Sequence, residues 1–231
     1  MNTAVPFPPA AFLDLDQTAH RVLFEQAANV WEAIDKIAAY LQFSLRPGVQ
    51  GELVGKPFIG ENVFVGPGTI IEHGAMIKGP AWIGANCHVR NGCYVRENVL
   101  VGDGAVLGNS CEFKNCLLFN GAQVPHFNYV GDSILGYKAH LGAGVILSNV
   151  KLDHGEIVVE TDAGERLGTG LRKFGAVLGD HAEVGCNAVL NPGSVIGRRS
   201  VVYPGAQWRG VLPANSIAKF RQSFSVLARR D

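Results

Sequence analysis

The chain has 231 residues, enough for one large domain or a domain with small appendages. Hydrophobic residues make up 47% and charged residues 17%, which suits a water-soluble globular protein and not a disordered one. Lys+Arg and Asp+Glu are each 20, so whole-chain charge gives no support to a nucleic-acid or membrane partner. No apolar stretch is long enough to span a bilayer, and the opening residues lack the basic and apolar regions of a signal peptide. The five cysteines therefore read as reduced thiols in a cytoplasmic protein.

In chain order, Gln17–Leu45 comes first. Val22, Ala27, Val30, Trp31, Ile34, Ile37, Ala38 and Leu41 recur at helical spacing, predicting one or two amphipathic helices over residues 1–50. From Ile59 the period changes to six. Ile59, Val65, Ile71, Ile77, Ile83, Val89, Val95, Val101, Leu107, Phe113 and Phe119 are all large and apolar. The fifth residue of each early repeat is small, as at Ala75, Ala81, Cys87, Cys93 and Cys111. A period of six fits neither a helix nor a plain strand. It fits a triangular coil of eighteen residues, three short strands joined by turns, stacked as parallel strands about 4.8 Å apart. The cysteines at small positions are then core fillers.

The phase slips over Val124–Leu135 and breaks from Val150 to Phe174, then resumes at Leu178, Val184, Leu190, Ile196 and Val202. Two loops leaving the coil are expected there, and such loops are where function concentrates. Pro213–Arg230 carries Ile217, Phe220, Phe224 and Leu227 on one helical face. The expected organisation is a helical segment at 1–50, a β-helix at 51–212 and a closing helix at 213–231, with the ends capping the solenoid.

Stacking brings distant residues together. Lys78, Arg96 and Lys114 are eighteen apart and should form one column of cations, which a bound phosphate would relieve. His126, in the first slip, is suited to accept a proton near neutral pH. Arg198, Arg199, Arg209 and Lys219 make the last part of the chain basic, a further candidate for the phosphates of coenzyme A. Nucleotide-loop and zinc-binding spacings do not occur.

Several strings resemble the left-handed β-helix acetyltransferase domain of glucosamine-1-phosphate acetyltransferase / N-acetylglucosamine-1-phosphate uridyltransferase, most closely its archaeal-type branch. They are Glu112-Phe113-Lys114-Asn115, Val124-Pro125-His126-Phe127-Asn128-Tyr129-Val130-Gly131-Asp132, Gly142-Ala143-Gly144, Arg172-Lys173-Phe174-Gly175-Ala176 and Tyr203-Pro204-Gly205-Ala206. The resemblance covers about Ile59 to Asn215. It implies a left-handed all-β solenoid and an acetyl-CoA-dependent N-acetyltransferase acting on an amino-sugar phosphate such as glucosamine 1-phosphate, with no metal required. It also implies His126 as general base, Asn149 near the acetyl group, and Arg96, Lys114, Tyr129 and His140 at the sugar phosphate. Ala143, Arg172 and Lys173 would meet coenzyme A. Members are trimers with sites between subunits, so a homotrimer is expected.

Two departures stand out. The family has Asn where this chain has His140. It also has lysines shortly after Asn149, where this chain offers only Lys151 and then Gly155. No counterpart of the nucleotidyltransferase domain is recognised. The rival reading is a silent sugar-phosphate or nucleotide-sugar binding protein that partners a separate nucleotidyltransferase.

Overall fold

The computed structural model describes residues 7–161, 164–220 and 225–229. Residues from 48 onward wind into a left-handed parallel β-helix of triangular section. Face 1 runs from Gly48–Val49 to Val211–Leu212, face 2 from Glu52–Leu53 to Ile217–Ala218, and face 3 from Phe58–Ile59 to Gln207–Trp208. The chain visits faces 1, 2 and 3 in turn, and every neighbouring pair within a face is parallel. The lead residues of the repeat fill the axis: Val65, Ile71, Ile77, Ile83, Val89, Val95, Val101, Leu107 and Phe113 are buried. Cys87, Cys93 and Cys111 pack beside them as small fillers, and Cys116 is buried as well. Cys186 is exposed.

Face 1 differs from the other two. Its strands are apolar on both sides, as in Val99-Leu100-Val101 and Cys116-Leu117-Leu118. Strands buried on both faces read as continuous apolar runs. The outward residues Leu100, Leu117, Ile134, Val177 and Val195 lie under the N-terminal segment. That segment contains a short helix α1 (Pro9–Phe12), three 3-10 turns and the helix α2 (Ala33–Ser44). In α2 the buried stripe is Ala33, Ile34, Ile37 and Leu41. The turn before it, Val30–Glu32, starts from a capping box of Asn29 and Glu32, whose side chains satisfy orphan N–H groups.

Four expectations are corrected. The N-terminal residues lie along the flank of the solenoid and do not cap its end, because the apolar outer side of face 1 offers more surface to bury. Only the second half of Gln17–Leu45 is α-helical; Leu15–Gln17, Arg21–Phe24 and Val30–Glu32 are 3-10 turns that follow the surface. The helix expected over 213–231 is absent among the described residues. Ile217–Ala218 is instead a strand paired with Val201–Val202, since an open edge supplies backbone partners that an isolated helix end would lack. Residues 221–224, 230 and 231 lie outside the described residues.

The fourth correction concerns the first slip. No loop leaves the coil at Val124–Leu135. The stacking step shortens by one residue, so Val99 pairs with Cys116, Glu112 with Tyr129 and Gln123 with His140. The coil is left once, after Ile146–Leu147, and regained at Ala176–Leu178. This excursion holds an antiparallel hairpin, Val158–Glu160 with Arg166–Gly168. Its Ile157, Val159, Leu171 and Phe174 pack with the N-terminal segment on face 1, with the Phe174 ring 5.9 Å from that of Trp31.

Candidate functional site

Each coil turns three corners, and the site residues sort by corner. The corner between faces 3 and 1 carries Lys78, Arg96 and Lys114 in successive coils, as the spacing predicts: Lys78 N–H donates to Val95 O and Arg96 N–H to Phe113 O, each 2.8–2.9 Å. The column is not left repelling itself. Arg96 Nη1 lies 3.0 Å from Glu112 Oε1 and its Nη2 3.4 Å from Glu97 Oε1. Lys114 Nζ donates to both oxygens of Asp132 at 3.4 Å. The hydrogen bond to Glu112, more than any other cause, raises the Arg96 pKa further. The chain thus supplies its own counter-charges, which the cation spacing alone did not foresee.

Asp132 is the hub of this corner. Its side chain is 4% exposed. Besides Lys114 it accepts hydrogen bonds from Asn115 Nδ2 at 2.9 Å and from Asn149 Nδ2. Buried carboxylates need such a full set of donors. Tyr129 stands on the outer side of face 3, half-buried, with its hydroxyl beside the Asn149 amide. Burial, then the carboxylates of Asp132 and Glu112, push its phenol pKa up. Gly131 is required here, because a Cβ at this position would fall 2.5 Å from the Tyr129 hydroxyl and 2.8 Å from Asn149 Nδ2.

The excursion returns to the same corner. Phe174 N–H donates to Asn149 O at 3.0 Å and Gly175 N–H to Asp132 O at 2.8 Å. Gly175 closes against Gly131 O and the Ser133 hydroxyl, where a Cβ would meet atoms at 2.5 and 2.3 Å. Arg172 and Lys173, immediately before, line a cavity of about 490 Å³ together with Asp35, Asp132, His154 and Leu171. Lys173, twenty-four positions after Asn149 in sequence, thus lines this cavity beside Asp132.

His126 lies at a different corner, between faces 2 and 3. It ends the strand Gln123–His126, stacks on Asn109 and is exposed. The next residue, Phe127, makes the turn at φ 53° and is itself 60% exposed. Ala143 belongs to this corner too, since Gly144 N–H donates to His126 O at 3.0 Å. One full side of the triangle, roughly 15 Å for five extended residues, separates this corner from Asp132 and Asn149. His140 stands on the outer side of face 2, its Nδ1 2.7 Å from Glu183 Oε2.

The structure thus brings together Arg96, Lys114, Tyr129, Asn149, Arg172 and Lys173, sets His126 and Ala143 apart from them, and places His140 with neither. Sequence reasoning missed the roles of Glu112 and Asp132. Both stand in the recognised strings, and Glu112 lies one coil below Arg96, so stacking the carboxylates as well as the cations would have found them. Asp35 could not be found, because nothing in its sequence ties α2 to this cavity. Among the described residues no group of three or more His, Cys, Asp or Glu could hold a metal ion. None of the described helices is long and apolar enough to cross a membrane.

The coil and its corner sites define a hexapeptide-repeat β-helix protein. Residues 77–202 match the GMPPB C-terminal domain, and the chain belongs to that family. It is 38% identical over 97 residues to a bifunctional sugar-1-phosphate nucleotidylyltransferase/acetyltransferase of Sulfurisphaera tokodaii, covering 42% of this chain and 24% of that protein. It is 36% identical over 93 residues to the bifunctional protein GlmU of Methanococcus vannielii, covering 40% and 22%. The match therefore spans about a quarter of the length of these relatives. A UDP-N-acetylglucosamine acyltransferase of Francisella novicida has the same fold, with TM-score 0.54 and 14% identity over 73% of this chain and 59% of that one.

Proposed function

We propose that this chain is a hexapeptide-repeat acyltransferase that moves the acetyl group of acetyl-CoA onto the amine of an amino-sugar phosphate. The observation that carries the reading is the corner where Arg96, Lys114, Asn149 and Lys173 converge around Asp132. Arg96 and Lys114 are held by carboxylates in fixed positions, and Lys173 and Arg172 add cations on the cavity side. Such a pre-set arrangement suits a phosphate dianion, and Tyr129 offers its ring and hydroxyl to the sugar.

The amine and phosphate of glucosamine 1-phosphate sit on adjacent carbons, only a few ångströms apart. His126 of the same chain is too distant to serve a sugar phosphate bound at Lys114. We therefore assign the working site to two chains: the His126–Ala143 corner of one against the Lys114–Asn149 corner of the next, in a homotrimer. Face 1 is already covered by the chain itself. Faces 2 and 3 keep Ile70, Phe58, Met76 and Ile146 exposed and are the surfaces for such contact. His126 then takes a proton from the sugar ammonium and the freed amine attacks the thioester carbonyl. Asn149 or a backbone N–H of the corner stabilises the oxyanion; as the C–S bond breaks, the second proton leaves the nitrogen for the departing sulfur, and coenzyme A goes as the thiol while His126 returns its proton to solvent. No metal is needed for these steps. The setting is cytoplasmic nucleotide-sugar synthesis, with a separate nucleotidyltransferase as a partner that would use the product.

The test is a panel of amino-sugar phosphates with acetyl-CoA, following free thiol release, alongside light scattering. Acetylation of one acceptor and a mass about three times 24.7 kDa are expected. A clean monomer would remove the two-chain site. Absence of thiol release with every acceptor, in a chain that still binds sugar phosphates, would leave the binding-protein reading.

A further inference from the structure

The third corner, between faces 1 and 2, changes character along the solenoid. In the early coils its left-handed turn residue is Gly68, Asn86, Gly104 and Gly121, types that adopt positive φ at little cost. In the next three coils the same position holds Lys138, His181 and Arg199, at φ 53°, 58° and 55°. They stack in register: His181 N–H donates to Tyr137 O at 2.8 Å, and Arg199 N–H to Asp180 O at 2.9 Å. Folding gains nothing from a strained conformation on a basic residue when Gly or Asn serves four coils earlier. Other corners also place non-Gly residues at positive φ, as at Ser110, Phe127 and Asp132, but among the described residues three successive basic turn residues occur at this corner alone, which points to a use for the side chains.

His181 and Arg199, of these three, open onto a cavity of about 690 Å³ between the solenoid and the N-terminal segment. His181, Arg198 and Arg199 form one wall, Asp14 and Asp16 the other, with Tyr137 between them. Two of the charges are already matched. Asp16 pairs with Arg21 at 3.2 Å. Asp180 pairs with Arg198 Nη2 at 3.3 Å and accepts N–H bonds from Asp14 and Tyr137 at 2.7 and 2.8 Å. Arg198 Nε is buried without a hydrogen-bond partner among the described residues, and Arg199 has no ion pair among them. Arg199, exposed and lining the cavity, therefore presents it with a charge that the described residues leave unmatched.

We propose that this cavity binds a phosphate ester of a polyhydroxyl ring, a sugar phosphate or a nucleotide, at a site separate from the acetyl-transfer corner. The phosphate faces Arg198, Arg199 and His181, and ring hydroxyls face Asp14 and Asp16. The ligand bridges the N-terminal segment and the solenoid.

Isothermal titration of the full chain with inorganic phosphate, glucose 1-phosphate, AMP and coenzyme A tests this. The informative variant is Arg199→Asn, since Asn keeps the turn that it makes at Asn86 and Asn215. His181→Asn is the second, should the first fail to fold. In the Lys173→Ala background, which weakens the acetyl-transfer corner, glucose 1-phosphate or AMP should still bind, and should bind at least about tenfold more weakly once either variant is added, with the unliganded melting temperature not lowered. Whichever of the two ligands binds decides between sugar phosphate and nucleotide, and inorganic phosphate should bind more weakly than both. Failure of all probes to bind at millimolar concentration would overturn the site. So would affinities unchanged by both variants, or losses that follow Lys173→Ala instead. A matching loss of coenzyme A affinity in Arg199→Asn would hand the cavity to the acetyl donor and equally end the claim of a separate site.

Discussion

The early and late coils of this β-helix share one cross-section but differ in step. From Val63 through Ala81 to Val99, stacked residues are eighteen apart. Beyond that the step becomes seventeen from Glu112 to Tyr129 and forty-three from His140 to Glu183 across the excursion, returns to eighteen from Ala176 to Ser194, and shortens to sixteen from Val195 to Val211. The early coils hold small or Gly turn residues and few ionic contacts outside the Arg96 column. The late coils hold both cavities, the excursion and the basic turn residues. A regular step repeats one packing solution and specifies stability. Each change of step re-aims a corner, and a corner so displaced can receive the end of an excursion or a flanking segment.

The largest effect expected from breaking this contrast is catalytic. His126 stands on the first coil with the seventeen-residue step. Under the proposed function, His126→Ala should lower kcat by roughly 10²- to 10⁴-fold, with sugar-phosphate and acetyl-CoA binding nearly intact. The residual rate should climb with pH, as solvent must then deprotonate the amine. Lys114→Ala, at the other corner, should instead raise KM for the sugar phosphate. Mixed trimers of the two variants should recover activity, because some interfaces then carry both intact corners. No recovery on mixing, with each variant separately folded and trimeric, would place both residues in one chain's site.

How much of this the sequence carried depends on what kind of regularity was at work. Ile59 to Phe113 could be placed from the period alone, because one lead aliphatic per six residues admits no other geometry. The column at Arg96 and Lys114 followed from the same period. The excursion was visible as a gap, but its return beside Asn149 was not, because that closure depends on Phe174 packing against Trp31 of the N-terminal segment. The flanking position of that segment was hidden for a related reason. An amphipathic stripe tells that a helix is buried on one side, and not against what. At the far end, Ile217 and Phe220 have a spacing that serves a helix or a strand before a corner, and pairing with Val201 decided it.

A stability comparison sharpens the contrast. Phe113 and Phe174 are both fully buried, one on the axis of a regular coil and one where the excursion closes. Either change to Ala should cost about 3–5 kcal/mol in denaturant unfolding. Only Phe174→Ala should also weaken sugar-phosphate binding beyond any loss of folded protein, since Phe174 anchors Lys173. Equal binding by the folded fractions of both variants would detach Lys173 from the site.

Acid should find the seam between early coils and N-terminal segment. His20 is buried there against Trp82, with its Nδ1 2.9 Å from the Tyr40 hydroxyl, and burial lowers its pKa to about 4 from 6.5. Below about pH 6.5 the unfolded chain takes up a proton that the folded chain refuses. The associated stability is complete above that pH and is lost as pH falls toward 4, amounting to about 3 kcal/mol. His20→Gln should flatten the fall in melting temperature between pH 7 and pH 4.5. An unchanged acid slope in His20→Gln would assign the loss to other groups.

The smallest effect comes from the corner between faces 1 and 2, where Gly121 sits directly before Lys138 in the stack. Both take φ near 60°, at 68° and 53°. Lys138 bears the Cβ penalty of that region, on the order of 1 kcal/mol, which glycine escapes. Glycine in turn costs more backbone entropy on folding, about 0.5–1 kcal/mol, so the two terms nearly cancel for Lys138→Gly. Lys138→Asn separates them, because Asn tolerates the conformation without glycine's freedom in the unfolded chain. It should stabilise the protein by a few tenths of a kcal/mol, offset in part by the cation lost from above the Tyr137 ring at 5.0 Å. Gly121→Ala should do the opposite and destabilise by about 1 kcal/mol or more, since a Cβ there would lie 3.1 Å from Lys138 Cγ at an unfavourable φ. Chemical denaturation of the two variants reads both signs. If Lys138→Asn destabilises instead, the late turn residues are not strained relative to the early ones, and their basic character needs no ligand to account for it.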